Sequence, residues 1–316
     1  MERIFGLKKV AGLPGAMATL GVFDGVHLGH REVLTETVKW ARAAGAISVV
    51  VTFDRHPEIV LRTTPAAALA SLEHRLTLVE ETGIDVAIVL HFDQALADMT
   101  AEDFVREILV DKIQVGGVLL GFNCRFGRGA RGDFDLLSQL GGKYGFAVRS
   151  TEPLLIDGAP VSSTRIRSLI SEGDLAGAAR LLGRPVSLMG TVVHGDKRGR
   201  TLGFPTANLN LHNEVTPPAG VYVCRVMLDG GRLWGLVNIG FRPTFTDGAD
   251  DVKKTVEVYI DDYDPTESLY GHVMEIELVS FMRPEVKFDS ADALIEQMER
   301  DRRLLVAIRR EAPDER

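Results

Sequence analysis

The feature that most constrains this chain is a change of rhythm near its middle. From residue 17 to about 180, short apolar runs alternate with amphipathic stretches, whereas after about residue 184 a period-two pattern takes over. The early runs fall at residues 18–23, 47–53, 86–92, 117–122 and 147–149. Several are β-branched and nearly continuous, as expected of parallel strands buried on both faces. Between them, HREVLTETVKWARAAG repeats Val33, Leu34, Thr37, Val38 and Ala41 at helical spacing, with Gly45 as a stop. TAEDFVREILVDKI opens with Thr100 as an N-cap and an acidic first turn. Such strand–helix alternation predicts an α/β domain built on a doubly wound parallel sheet.

The second half reads differently. VYVCRVML, LWGLVNIG, TVEVYI and HVMEIELVSF alternate in twos between Gly-, Pro- and Asp-rich turns. In VMEIELV, Met274, Ile276 and Leu278 share one face, and Glu275 and Glu277 share the other. The pattern predicts a small antiparallel β-barrel, closed off by one C-terminal amphipathic helix, SADALIEQMERDRRLLVAIRR. Gly183 and Pro185 interrupt helical continuity in LLGRPVS, so the expected domains are 1–183 and 184–316. A chain of 316 residues exceeds the usual size of one hydrophobic core, which agrees with two domains.

Composition narrows the function classes. Hydrophobic content of 45% and charged content of 25% belong to an ordinary soluble protein. No apolar run approaches the roughly 20 residues of a membrane-spanning helix, and MERIFGLKKVAGLPG lacks the apolar core of a secretory signal. Cys124 and Cys224 stand in different halves, so neither a disulfide framework nor a zinc-thiolate site is expected. A net charge of −8 argues against a general nucleic-acid binder. The expectation is a cytoplasmic protein acting on small molecules, with neither nucleic acid nor membrane as partner.

In the first half, GVFDGVHLGH (21–30) sits where the first predicted strand hands over to the first helix. Ligands of open α/β sheets bind beyond the carboxyl ends of strands, against helix N-termini. Gly21 and Gly25 let the backbone approach an anion, and His27 and His30 lie in or beside the first helical turn. The spacing alone leaves a packed histidine pair and a phosphate site both open. A metal site is the poorer reading, because no third ligand clusters nearby. Downstream, VSSTRIRSLISEG (161–173) reads as an N-capped helix start rich in hydroxyls and arginines.

In the second half, GTVVHGDKRGRTLGFPTANL (190–209) interleaves Gly195, Gly199 and Gly203 with Lys197, Arg198 and Arg200. A flexible loop of amides and cations suits a polyphosphate. It is not a Walker A loop, and a solvated basic hairpin is the competing reading. Thr206 and Asn208, two residues apart on an extended strand, point to one face and offer oxygen ligands of the kind Mg²⁺ prefers. Glu257, between Val256 and Val258, places a carboxylate on a defined strand face.

Together these motifs resemble known families. HLGH paired with SSTRIR is similar to the two ATP-binding motifs of the nucleotidylyltransferase superfamily, whose sheet is Rossmann-like. With TFDRHPEIVL (52–61) and GFNCRFGRGARGD (121–133), the first half resembles the adenylyltransferase module of bacterial bifunctional riboflavin kinase/FAD synthetases. GRTLGFPTAN, VNIGFRPTF (237–245), TVEVYI, SLYG (268–271) and FMRPEVKF (281–288) resemble riboflavin kinases. The resemblance implies transfer of phosphate from ATP to riboflavin in the second half, then of AMP from ATP to FMN in the first. By it Phe23, Gly25, His27, His30, Ser163, Thr164 and Arg167 serve ATP and its phosphates, and Asn123 orients the reacting groups. Phe53, His56 and Pro57 belong to the flavin side of that pocket. In the kinase half, Gly195, Lys197, Arg200, Gly203, Thr206 and Asn208 serve ATP, with Mg²⁺ on Thr206 and Asn208. Glu257 is the implied base and Arg283 lies near flavin or phosphate. Two departures stand out: Cys124 replaces the family's usual Phe, and Ser268 its usual Asp. The rival readings are a nucleotidylyltransferase for another acceptor, which leaves PTAN and Glu257 without a task, and a flavin-binding regulator with a decayed first half.

Overall fold

In the computed structural model, residues 1–195, 203–212, 214–228, 231–243, 252–263 and 268–311 are described. The chain divides into two units, Met1–Arg165 with Leu181–Gly183, and Ile166–Arg180 with Arg184–Arg316.

The first unit is organised by strands β1 (Glu2–Phe5), β2 (Ala16–Leu20), β3 (Ser48–Phe53), β4 (Val86–Leu90), β5 (Val115–Leu120) and β6 (Ala147–Ser150). They form one parallel sheet in the order β1-β4-β3-β2-β5-β6. Helices cover both faces, and the parity of strand residues sorts the two cores. Val49 and Val51 of β3 pack with Phe104, Ile108 and Leu137 on one side. Val50 packs with Val33, Leu34 and Leu76 on the other. A small hairpin, β7 (Leu155–Ile156) with β8 (Ala159–Pro160), precedes helix Ser163–Glu172.

Three differences from the sequence pattern have physical causes. The N-terminal ERIF adds a strand at the sheet edge that its half-exposed side chains do not announce. Phe104–Ile113 is a π-helix following one α-turn at Ala101–Asp103. Its buried residues, Phe104, Val105, Ile108, Leu109 and Ile113, recur every four to five positions, which matches the wider turn. Finally, the apolar runs outlast the strands: β2 stops at Leu20 and β5 at Leu120, although Val22, Phe23 and Phe122 continue the pattern.

The second unit holds β9 (Val186–Val193), β10 (Thr206–Leu211), β11 (Gly220–Leu228), β12 (Gly231–Pro243), β13 (Val252–Ile260) and β14 (Val273–Arg283). They close into an antiparallel barrel in the order β10-β13-β12-β11-β14-β9, and pairing of β9 with β10 leaves no edge among them. Met274, Ile276 and Leu278 of β14 are buried while Glu275 and Glu277 are half-exposed, as the alternation requires. The C-terminal helix Ala291–Glu311 lies on the barrel through Leu305, which packs with Val221, Val223 and Leu236. Arg302 Nε reaches Asp261 Oδ1 at 3.0 Å to fix it there.

Candidate active sites

The first candidate site follows from the strand order. From β2 the chain runs outward through β3 and β4, then crosses back to β5 on the other side, so the sheet reverses between β2 and β5. A crevice opens beyond the carboxyl ends of strands at such a point. GVFDGVHLGH follows β2, DRHP follows β3 and GFNC follows β5. All three segments therefore belong to the carboxyl edge of the sheet.

The turn after β2 is unusual. Phe23 and Val26 hold φ of 53° and 39°, and Gly25 lies between them at 76°. A β-branched residue at positive φ is strained and needs outside support. Support comes from the segment before helix Leu72–Glu80: Leu69 N and Ala70 N donate to Asp24 Oδ1 at 2.8 and 3.2 Å. Leu69 also lies so close that a Cβ on Gly25 would come within 2.8 Å of it. His27 then caps helix Leu28–Ala43, its Nδ1 accepting from His30 N at 3.2 Å. The two imidazoles stack at 3.6 Å and 15°, and Phe23 meets His30 edge-on at 5.3 Å. Ser163 Oγ donates to the Asp24 carbonyl at 3.0 Å, which joins the SSTRIR segment to this turn.

Phe23, Gly25, His27, His30 and Ser163 thus come together. Thr164 and Asn123 are exposed. Phe53 packs edge-on with Phe92 at 5.2 Å, His56 Nδ1 accepts from Glu58 N at 3.2 Å, and Pro57 starts the short helix Glu58–Leu61. Arg167 belongs to the second unit, because the division runs between Arg165 and Ile166. Cys124 packs against the sheet core, its Sγ 3.5 Å from the Leu20 carbonyl, and burial pushes its thiol up to about 12. It behaves there as a small hydrophobe.

Electrostatics single out His30, whose pKa burial pushes well below its ordinary value, with His27 and Arg75 adding to the effect. Arg75 is missing from the sequence reading, since in SLEHRLTLVE it looks like any helical arginine. It is 4% exposed, and burial lowers its guanidinium to about 10 against the pull of Asp24 and Asp54.

The second candidate site is a row across the barrel. By register, Asn208 on β10 pairs with Glu257 on β13, Glu257 with Asn238 on β12, Asn238 with Val221 on β11, and Val221 with Arg283 on β14. A cavity of about 310 Å³ opens over this row, with Thr206, Asn238, Glu257 and Arg283 in its wall beside Phe204 and Tyr259. Its far side is the C-terminal helix, through Leu294, Met298 and Asp301. An apolar chamber of this size with a few convergent polar groups suits a small aromatic ligand. Gly195 packs against the Asn208 amide so closely that a Cβ there would collide with it. Gly203 sits in an exposed turn at φ 84°, just before β10. Lys197 and Arg200 lie outside the described residues.

Arg283 reaches the cavity wall, and each of its three side-chain nitrogens has a partner. Nε meets Asp301 Oδ1 and Oδ2 at 3.1 and 3.0 Å, Nη2 meets Oδ2 at 2.7 Å, and Nη1 meets the Pro284 carbonyl at 3.0 Å. Gln297 donates to Asp301 as well, at 2.8 Å. The sequence reading also overlooked Asn238 and Glu285. Asn238 Nδ2 donates to Glu285 Oε1 at 3.4 Å, while its own Oδ1 is buried without a hydrogen-bond partner among the described residues. Ser268 Oγ accepts from Tyr270 N at 3.4 Å, and the Tyr270 ring packs against His194 at 3.7 Å, tilted by 35°.

Comparison with known proteins bears on both units. The FAD synthetase family matches residues 10–165, and the riboflavin kinase family matches residues 182–308. A bifunctional riboflavin kinase/FMN adenylyltransferase of Haemophilus influenzae is 36% identical over 291 residues, 92% of each chain. One of Escherichia coli K12 is 37% identical over 305 residues, 95% of this chain and 96% of its own. A crystal structure described as a macrolide-efflux protein of Streptococcus pneumoniae superposes with a TM-score of 0.81 at 29% identity, covering 96% of this chain and 99% of that one. Efflux is said of the pneumococcal protein. Among the described residues here no helix is long and apolar enough to cross a membrane.

Proposed function

Because the chain belongs to the bifunctional riboflavin kinase/FMN adenylyltransferase family, we propose that its two candidate sites catalyse successive steps: the barrel cavity first, the strand-end turn second. Riboflavin is phosphorylated by ATP to FMN in the barrel half, and FMN is adenylylated by ATP to FAD in the parallel-sheet half. The observation that carries the division of labour is that two family matches, one per activity, fall on the two structurally distinct halves. We place the functional boundary at 183/184, where Gly183 and Pro185 interrupt helical continuity, close to the start of the second match at residue 182.

In the barrel, Glu257 takes the proton of the terminal ribityl hydroxyl as its oxygen attacks the γ-phosphorus of ATP, and ADP leaves. The row Asn208–Glu257–Asn238 supports this role, because it sets the carboxylate between two amides at the edge of a chamber fit for a flavin ring. Thr206 and Asn208, alternating on β10, present neutral oxygen donors beside that carboxylate, a set that suits Mg²⁺ with its waters and phosphate ligands. When bound there, Mg²⁺ neutralises charge on the transferring phosphoryl group. Gly195 keeps the Asn208 amide in place, and Gly203, Lys197 and Arg200 serve the phosphates. Arg283 acts on the flavin side through its hold on Asp301 and the C-terminal helix.

In the parallel-sheet unit, the FMN phosphate oxygen attacks the α-phosphorus of ATP and pyrophosphate leaves, with no covalent protein intermediate. Positioning and charge stabilisation suffice for such a step. His27 and His30 contact the ATP phosphates, with Phe23 and Gly25 shaping the turn beneath them. Ser163 and Thr164 hold the β/γ end, Asn123 orients the reacting groups, and Phe53, His56 and Pro57 face the flavin.

Incubation with riboflavin, ATP and Mg²⁺, followed by separation of the flavins, tests the reading: FMN and then FAD accumulate. Absence of FMN overturns the kinase assignment, and FMN without FAD overturns the synthetase assignment. Glu257→Ala lowers riboflavin phosphorylation at least about 100-fold and leaves adenylylation of supplied FMN intact. His30→Ala does the reverse, by roughly 100-fold. Normal rates in either variant remove that residue from its role.

A further inference from the structure

The mechanism above gives no task to the most deeply buried cation of the first unit. Arg75 projects from helix Leu72–Glu80, is 4% exposed, and donates through Nη2 to the Phe53 carbonyl at the end of β3. Its Nε is buried and has no hydrogen-bond partner among the described residues, and the same is true of His30 Nδ1. A buried guanidinium is expensive to keep unless something repays it. Here the carboxylates of Asp24, from the turn after β2, and Asp54, from the end of β3, offset part of that cost. Asp54 is in turn held by His91 at 2.6 Å, by Phe92 N at 3.0 Å and by Arg55 at 3.4 Å. Arg75 therefore stands where the turn after β2, the end of β3 and the histidine pair meet.

We propose that Arg75 is a positioning residue for nucleotidyl transfer, a fixed buried cation that ties the end of β3 to the histidine turn and supplies positive charge independent of imidazole protonation. The proposal rests on the reading of His27 and His30 as phosphate-side groups. Its logic is a separation of tasks. Two stacked imidazoles 3.6 Å apart cannot both carry charge cheaply, and Arg75 opposes protonation of His30 further. Neutral rings keep directional N–H donors and accepting nitrogens, while the charge that attracts a triphosphate comes from behind them. The groups facing His30 are His27 from the helix cap and Arg75 from helix Leu72–Glu80, and those facing Arg75 are Asp24 and Asp54.

The test uses the full chain with Arg75→Met, Arg75→Gln and Arg75→Lys, and reads the His30 ring by NMR titration in the ligand-free protein. Loss of the charge in Arg75→Met and Arg75→Gln moves the His30 midpoint upward by roughly one pH unit, whereas Arg75→Lys leaves it near the wild-type position. In the same two neutral variants KM for ATP in FAD formation rises about tenfold or more, and the acid limb of the pH profile moves to higher pH. Riboflavin phosphorylation stays at the wild-type rate and serves as an internal check on the chain. Arg75→Gln retains an amide donor for the Phe53 carbonyl, so it decides the matter should Arg75→Met unfold the first unit. An unmoved His30 midpoint in the neutral variants overturns the proposal, as does a lysine variant that behaves like them. The ring titration is read without substrate, so it judges Arg75 even where His30→Ala leaves FAD formation intact.

Discussion

The two halves place their proposed sites on opposite kinds of backbone. In the barrel, Asn208, Glu257 and Asn238 sit on neighbouring strands, and the register that closes the barrel also aligns them. In the parallel-sheet unit, His27 and His30 stand just past a strand end, on a turn with two non-glycine residues at positive φ. The first site is a by-product of the fold's own hydrogen bonding. The second is held by additions to it: Leu69 and Ala70 on Asp24, and Ser163 on the Asp24 carbonyl. A register site should therefore fail together with its barrel, and a turn site should fail alone, leaving its sheet intact.

The largest expected effect tests the barrel side. Asp301 is 4% exposed at its side chain and pairs with Arg283 at 19%. Asp301→Ala strands that guanidinium and loses roughly 3–5 kcal/mol of barrel stability, read as a lower midpoint in urea unfolding. Riboflavin phosphorylation falls with it, and the smaller change Asp301→Asn keeps part of both. Full phosphorylation in a destabilised Asp301→Ala barrel would separate site from fold and break the comparison.

Next in size is Gly25→Ala, which sharpens the turn side. The new Cβ meets Leu69 at 2.8 Å on a backbone with φ of 76°. The expected cost is about 1–3 kcal/mol of local strain, relieved by opening of the turn. FAD formation falls at least tenfold, FMN formation does not change, and far-ultraviolet circular dichroism is that of the wild type. Unchanged FAD formation would mean that the turn tolerates rearrangement and does not set the histidine geometry.

The same contrast explains what could be read from the sequence. Thr206 and Asn208 were legible because a strand turns two-residue spacing into a shared face without outside help. Glu257 and the alternating Met274, Ile276 and Leu278 were legible on the same ground. Asn238 escaped because its neighbours Val237 and Ile239 carry the buried alternation, and nothing in that spacing singles out the half-exposed residue between them. Asp301 and Arg75 escaped because a helix surrounded by charge, ERDRR or LEHR, does not say which member turns inward. That choice is made by Arg283 and Phe53, far away in sequence. The turn itself was legible as HLGH, but its strain and its supports depend on Leu69 and Ala70, which no spacing rule connects to Asp24.

The smallest expected effect lies at the outer edge of the turn site and asks how far its support extends. Burial alone would raise the Asp54 carboxyl, but the Phe92 amide, His91 and Arg55 outweigh it and hold the group below its ordinary value. A carboxylate depressed in the folded state contributes stability that is present above the ordinary aspartate range and fades as pH falls through the lowered folded value. His91 is 59% exposed at its side chain, so its share is screened by solvent. His91→Ala therefore costs below about 1 kcal/mol at pH 6. The difference from wild type narrows toward pH 3 as Asp54 protonates. Urea unfolding at the two pH values measures it. A loss well above 1 kcal/mol, or one that grows toward pH 3, would show that His91 buttresses Arg75 through Asp54. The support of the turn site would then reach across β3 to β4.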